Sequence, residues 1–164
     1  MRVLIADDHD LLRDTLELFL EGEGNFETIG VSTYPEAEAR VATDGPFDLV
    51  LLDYSMPGMN GLEALQDIKR LDGDLPVIMI MAYGTSSNTR EAFKHGAFDF
   101  IEKPFKNDDV LLVVRNAVEQ RQLIAESGVG EYLDIDLAVG ALGNEFLEFG
   151  GRSVEAVLLV DHMG

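Results

Sequence analysis

Short apolar runs alternate along the chain with segments in which apolar residues recur every three or four positions. The runs are typical of buried strands, and the spaced segments are typical of amphipathic helices. Strands are predicted at five places: Val3–Ala6, Thr28–Ser32, Leu49–Asp53, Val77–Met81 and Phe98–Ile101. A helix is predicted after each strand, and the fourth one, from Arg90 to His95, is short and polar. Five strands alternating with five helices predict an α/β fold with a doubly wound parallel sheet.

The pattern changes near residue 125, so the chain is predicted to consist of a domain at 1–125 and a short C-terminal extension at 126–164. The extension has eight acidic residues and a single basic one, Arg152. Segments of fewer than about 40 residues rarely fold alone. The extension therefore packs on the first domain, pairs with another subunit or begins a longer protein. An apolar cluster favours such a contact; its members are Val154, Val157, Leu158 and Leu159.

Composition narrows the possible functions. The net charge of −19 opposes non-specific binding to nucleic acid, and residues 126–164 lack the basic helix-turn-helix that direct DNA binding would need. The absence of cysteine excludes disulfides and thiolate metal sites. No apolar stretch approaches the ~20 residues of a membrane helix, and the first apolar run is too short for a signal peptide. A cytoplasmic protein without membrane contact is expected.

Acidic residues follow two of the predicted strands. Asp53 ends an unbroken apolar run, and Asp7 and Asp8 follow the first strand. Because the carboxyl ends of parallel strands meet at one edge of a sheet, these carboxylates are predicted to form a site for a hard cation. Aspartate is also common after strands because it favours turns and helix caps. The predicted position of Lys103 at the end of the fifth strand favours a functional site, since its charge can neutralise a transferred anion.

Three segments together resemble the receiver domain of two-component response regulators, over residues 1 to about 122. They are Ile5-Ala6-Asp7-Asp8-His9, the stretch from Leu51 to Gly61, and Lys103-Pro104-Phe105. The resemblance implies a flavodoxin-like fold and a phosphorelay function. It implies a histidine kinase or phosphotransfer protein as donor and a downstream protein partner, and it is compatible with a homodimer formed through the last helix.

The resemblance also implies a role for each site residue. Asp53 would accept the phosphoryl group, and Lys103 would pair with its oxygens. Mg²⁺ would be held by Asp7, Asp8, Asp53 and the backbone carbonyl of Ser55. Phe100 falls at the position of the family's switch aromatic. The turn at Lys103-Pro104 is expected to contain a cis peptide bond, which proline makes accessible.

One position departs from the family pattern. Met81 stands where the family has a threonine or serine, and methionine cannot donate a hydrogen bond to a phosphoryl oxygen. This departure favours an alternative function, that of a pseudo-receiver scaffold with weak or no phosphorylation switching. A Mg²⁺-dependent phosphatase is a further alternative, but it would carry a second acid two residues after Asp53, where this chain has Ser55. The three histidines are scattered and are interpreted as surface residues.

Overall fold

The computed structural model describes residues 1–82, 86–127, 147–149 and 152–154. The chain divides into two compact units, Met1–Arg121 and Gln122–Gly164. The elements in chain order are β1 (Arg2–Ala6), α1 (Asp10–Gly22), β2 (Glu27–Val31), α2 (Tyr34–Thr43), β3 (Leu49–Asp53), α3 (Gly61–Leu71), β4 (Val77–Ala82), α4 (Ser86–Lys94), β5 (Asp99–Lys103), α5 (Asn107–Ser127), β6 (Leu147–Phe149) and β7 (Arg152–Val154).

The first five strands form one sheet in the order β2-β1-β3-β4-β5, and every neighbouring pair is parallel. The predicted five-stranded sheet with five helices is therefore confirmed. The strand order reverses beside β1, because the chain goes from β1 outward to β2 and then returns to add β3 on the other side. In open α/β sheets, the carboxyl ends of strands at such a reversal form the usual binding crevice.

Alternate residues of each central strand face opposite sides of the sheet. Val3 and Ile5 of β1 belong to the core that includes Leu16 of α1 and Val114 of α5. Leu4 and Ala6 belong to the opposite core, with residues of α2 and α3 that include Ala37, Leu65 and Ile68. Both faces of β1, β3 and β4 are therefore covered, which is why these strands read as continuous apolar runs.

The predicted end of the fifth strand shifts in the structure. β5 does not end at Ile101 but continues to Lys103, where Glu102 and Lys103 pair with Met81 and Ala82 of β4. Polar residues are tolerated there because β5 is an edge strand, so the apolar run ends before the strand does. The cis bond expected at Lys103-Pro104 is confirmed, and Gly45-Pro46 is also cis.

In the second unit, β6 and β7 pair as an antiparallel two-stranded sheet. Of the predicted apolar cluster, Val154 lies in β7, whereas Val157, Leu158 and Leu159 lie outside the described residues. A contact made by this cluster stays a prediction. None of the helices that the structure describes is long and apolar enough to cross a membrane.

Gly61 begins α3 directly beside the turn that follows β3. A Cβ at this position would lie 2.6 Å from the Tyr54 carbonyl oxygen and 2.8 Å from the Tyr54 Cα atom. These neighbours are backbone atoms, so the turn itself would have to move to admit a side chain. The absence of a side chain at Gly61 therefore lets the turn approach the start of α3.

We expect Gly61→Ala to lower the free energy of unfolding by about 1–3 kcal/mol, the usual cost of overpacking. Chemical denaturation measures this change. Gly73→Ala is the matched control, because a Cβ there would meet only the Lys69 carbonyl oxygen at 3.8 Å. Equal stability of the two variants would contradict the close approach at Gly61.

Candidate functional site

The site lies at the carboxyl ends of β1 and β3, beside the reversal of strand order. Asp7 directly follows β1, and Asp53 is the last residue of β3. The Asp7 side chain is fully buried, the Asp53 side chain is 3% exposed and that of Asp8 is 29% exposed. Two buried carboxylates therefore lie next to a third that reaches solvent.

Lys103 brings a positive charge to the same edge from the end of β5. Its Nζ lies 3.4 Å from Asp53 Oδ2 and 3.7 Å from Asp7 Oδ2. The ammonium group therefore bridges the two buried carboxylates. The predicted meeting of Asp7, Asp8, Asp53 and Lys103 at one edge is what the structure shows.

The environment of Asp53 disfavours its ionised form. Burial raises the pKa of this carboxyl above its ordinary value. The Ser55 N–H, which donates to Asp53 Oδ1 at 3.2 Å, lowers the pKa, the charge of Asp7 raises it and Lys103 lowers it. The net shift is upward, so a further positive charge near Asp53 would stabilise the carboxylate.

The donor atoms fit a divalent cation. Asp7, Asp8, His9 and Asp53 each offer one ligand atom, and these atoms lie within 4.8 Å of one another. Among the described residues, Asp7 Oδ2 and Asp8 Oδ1 are buried and accept no hydrogen bond. Buried carboxylate oxygens without donors suit a hard cation, which prefers oxygen ligands. The acidic cluster is thus a candidate metal site.

Sequence reasoning interpreted His9 only as a surface residue. Its side chain is indeed 65% exposed, yet Nδ1 lies 3.1 Å from Asp7 Oδ1 and 3.2 Å from Asp8 Oδ1. His9 therefore belongs to the acidic cluster. The signal was its position directly after the two aspartates, because a residue adjacent to a ligand is held near the same site.

Tyr34 is a second residue that the sequence did not single out. It is fully buried at the start of α2. Its hydroxyl lies 2.8 Å from the carbonyl oxygens of Asp53 and Tyr54, to which it donates, and it accepts the Met56 N–H at 3.1 Å. Burial raises the pKa of Tyr34 to about 12, so the hydroxyl keeps its proton. Tyr34 thus fixes the backbone on both sides of Ser55.

Met81 and Phe100 lie near the site but serve as packing residues in the described structure. Met81 is buried near the end of β4, and its Sδ accepts a hydrogen bond from Thr89 Oγ1 of α4 at 3.3 Å. Phe100 packs on the same core and meets Phe93 of α4 edge to face, with ring centroids 6.1 Å apart. Both predicted switch positions therefore contact residues of α4.

Comparisons with known proteins agree on one family. The sequence model described as "Response regulator receiver domain" matches residues 3–115. The chain is 37% identical over 129 residues to the C4-dicarboxylate transport transcriptional regulatory protein DctD of Pseudomonas aeruginosa, covering 77% of this chain and 27% of that protein. It is 32% identical over 127 residues to the transcriptional regulatory protein FixJ of Bradyrhizobium diazoefficiens, covering 76% of this chain and 60% of FixJ.

Solved structures give the same answer. The receiver domain of NtrX from Brucella abortus matches with a TM-score of 0.67 and 38% identity, over 71% of this chain and 98% of that chain. A CheY-like receiver domain protein from Methanospirillum hungatei matches with a TM-score of 0.70 and 28% identity, over 74% of this chain and 95% of that one. By contrast, the chain spans only about a quarter of DctD and three fifths of FixJ.

We expect Tyr34→Phe to lower the free energy of unfolding by about 1–3 kcal/mol, because it leaves buried backbone groups without their partner. Chemical denaturation measures this loss. Tyr54→Phe is the matched control, since no described residue makes a hydrogen bond with the Tyr54 hydroxyl. Equal losses of stability in both variants would contradict the role of Tyr34.

We expect Asp53→Asn to raise the free energy of unfolding at neutral pH in the presence of a chelator. The pKa of Asp53 is higher in the folded protein than in the unfolded chain. The stability that this group contributes is therefore fully present below the unfolded pKa, and it is lost as pH rises through the folded pKa. The asparagine variant escapes this loss. Its advantage over the original protein should therefore vanish in acid, as measured by denaturation across a pH series.

Asp72→Asn is the control, because it is expected to change the free energy of unfolding in the opposite direction. Burial raises the pKa of Asp72, but two hydrogen bonds from Arg121, at 2.7 and 3.1 Å, outweigh it and lower the pKa overall. This carboxylate stabilises the fold above its ordinary pKa, so its replacement should reduce stability at neutral pH. An Asp53→Asn variant that is also less stable at neutral pH would contradict the unfavourable environment of Asp53.

Proposed function

Because the chain belongs to the response regulator receiver domain family of two-component systems, we propose that Asp53 accepts a phosphoryl group from a histidine kinase or phosphotransfer protein. One observation carries this proposal. The Asp53 carboxylate is buried at a strand end, 3.4 Å from the Lys103 ammonium and within a cluster of further carboxylates. An acceptor oxygen and the charge needed to balance a phosphoryl group are thus side by side.

The reaction needs little covalent chemistry from the protein. An Asp53 oxygen attacks phosphorus, the new P–O bond forms, the P–N bond of the donor phosphohistidine breaks, and the departing histidine nitrogen takes a proton. Such transfer depends mainly on in-line positioning and on neutralising the oxygens. The Ser55 N–H orients one Asp53 oxygen, and Lys103 is near enough to ion-pair with the transferred group.

The residues fit Mg²⁺ as the cation of this site. Asp7, Asp8, Asp53 and the backbone carbonyl of Ser55 would hold it. A bound Mg²⁺ supplies positive charge that relieves the repulsion between carboxylates and neutralises phosphoryl oxygens. Tyr34 supports this arrangement because its hydroxyl fixes the backbone on both sides of Ser55.

The protein is then a signalling module rather than an enzyme in the ordinary sense. Residues 1–125 act as the receiver domain and 126–164 as an extension, in a cytoplasmic protein that signals to a downstream protein partner. A homodimer is one form that this signalling can take. The relatives named above are transcriptional regulators that are longer than this chain, so DNA binding in such a pathway would belong to other segments or partners.

Met81 bears on how phosphorylation is transmitted. No finding favours the alternative of a pseudo-receiver, since the acidic cluster and Lys103 lie together. We propose that Met81 weakens switching without abolishing acceptance. A thioether offers a phosphoryl oxygen no proton, and a ligand shifts an equilibrium only through contacts that differ between the two states.

We expect Asp53→Asn to abolish phosphoryl incorporation, because an amide is not a competent nucleophile here. The protein is treated with acetyl phosphate and Mg²⁺, and its intact mass is measured. Asp99→Asn, a change in an aspartate outside the acidic cluster, is the matched control and should incorporate normally. Undiminished incorporation in Asp53→Asn would move the acceptor elsewhere.

We expect Met81→Thr to enlarge the phosphorylation-dependent change around α4, because threonine supplies a hydroxyl at the end of β4. Amide shifts with and without beryllofluoride, a phosphoryl mimic, provide the measurement. Met81→Leu conserves volume without a hydroxyl and should respond like the original protein. Equal shifts in the threonine and leucine variants would show that the hydroxyl is dispensable.

A further inference from the structure

His9 is placed to act on the cation site rather than on its own helix. It is the residue that precedes α1, yet its side chain makes no capping hydrogen bond with that helix. Its backbone N–H donates to Asp7 Oδ1 at 2.8 Å, which ties the His9 main chain to the buried acid. The imidazole is thereby held over the acidic cluster while one side of it stays open to solvent.

The distances around His9 Nδ1 match those between ligands of a shared ion. Nδ1 lies 3.1 Å from Asp7 Oδ1, 3.2 Å from Asp8 Oδ1 and 4.0 Å from Asp53 Oδ2. In an octahedral site with bonds of about 2.1 Å, neighbouring donors are about 3.0 Å apart and opposite donors about 4.2 Å apart. The contact with Asp7 Oδ1 is a hydrogen bond, and the same three separations would let Nδ1 take a ligand's place relative to all three carboxylates.

A second observation points independently to a cation. The Asp7 side chain is fully buried, and its Oδ2 accepts no hydrogen bond from any described residue. Lys103 approaches that oxygen only to 3.7 Å. A buried carboxylate oxygen with no donor is costly unless a positive charge satisfies it, and Asp7 belongs to the same cluster as His9.

Building on the cation site of the proposed function, we propose that His9 Nδ1 is a direct ligand of the bound divalent ion. One imidazole nitrogen with carboxylate oxygens forms a mixed donor set. Imidazole favours transition metals such as Co²⁺ and Zn²⁺, whereas Mg²⁺ prefers oxygen alone. His9 thereby shifts the preference of the site away from Mg²⁺ toward transition metals.

The test compares cation affinities in the full chain at one fixed pH. Calorimetric titration with Mg²⁺, Mn²⁺ and Co²⁺ is carried out on the original protein, on His9→Ala and on His95→Ala. His95 is the control because it lies 4.0 Å from Glu91 of α4, outside the acidic cluster.

We expect His9→Ala to weaken Co²⁺ and Mn²⁺ binding by about tenfold or more, since even outer-shell partners of a metal contribute 10–100-fold. Mg²⁺ binding should weaken by clearly less, and His95→Ala should change none of the three. Pulsed electron paramagnetic resonance of bound Mn²⁺ should show coupling to an imidazole ¹⁴N nucleus. That coupling should disappear in His9→Ala and persist in His95→Ala.

Three outcomes would overturn the proposal. The first is bound Mn²⁺ without nitrogen coupling in the original protein, and the second is an equal change in affinity for all three cations. The third is tighter binding of every cation to His9→Ala, which would make His9 an internal counter-ion that competes with metal. Phosphorylation of Asp53 with Mg²⁺ would survive any of these, whereas nitrogen coupling without phosphorylation would keep the His9 ligand and reject the proposed function.

Discussion

The site depends on three carboxylates being held together at one edge of the sheet against their mutual repulsion. The reversal of strand order places the ends of β1 and β3 side by side, and two packed apolar cores keep those strands in register. The single charge of Lys103 offsets part of the repulsion. Burial and, to a lesser extent, the charge of Asp7 keep the pKa of Asp53 raised. The remaining negative charge makes the edge attractive to a divalent ion. The stability of the sheet thus offsets the repulsion between these charges. Unfavourable concentrations of charge of this kind are common at functional sites.

The acids and the lysine could be predicted from the sequence because they are attached to strand ends. The spacing of apolar residues locates each strand in the sequence. A parallel sheet then brings the carboxyl ends of all its strands to the same edge. Asp7, Asp53 and Lys103 needed no knowledge of side-chain direction to be grouped. The topology of the sheet followed from the same alternation of strands and helices, so most of the fold was accessible in this way.

Tyr34 and His9 could not be found by the same reasoning. Tyr34 reaches from the start of α2 to backbone groups 19 to 22 positions later in the chain, and nothing in the local sequence encodes that reach. His9 looked like a surface residue because it is one, and only its side-chain direction reveals the contact with the acids. The apolar run that located β5 stops at Ile101, before the strand does, since an edge strand continues through polar residues such as Glu102.

α4 is suited to respond to a change of charge at Asp53. It is polar. Among its described residues Ala92 is the one that is buried, and Phe93, which meets Phe100, is 45% exposed. Segments with little buried apolar surface move at low free-energy cost. The hydrogen bond from Thr89 Oγ1 to Met81 Sδ adds a further link between α4 and the end of β4. Sulfur is a weak acceptor, so this hydrogen bond is a weak one. Met81 therefore leaves a physical connection between the edge that carries Asp53 and α4, but its strength depends on a sulfur contact rather than on a hydroxyl that a phosphoryl group can attract.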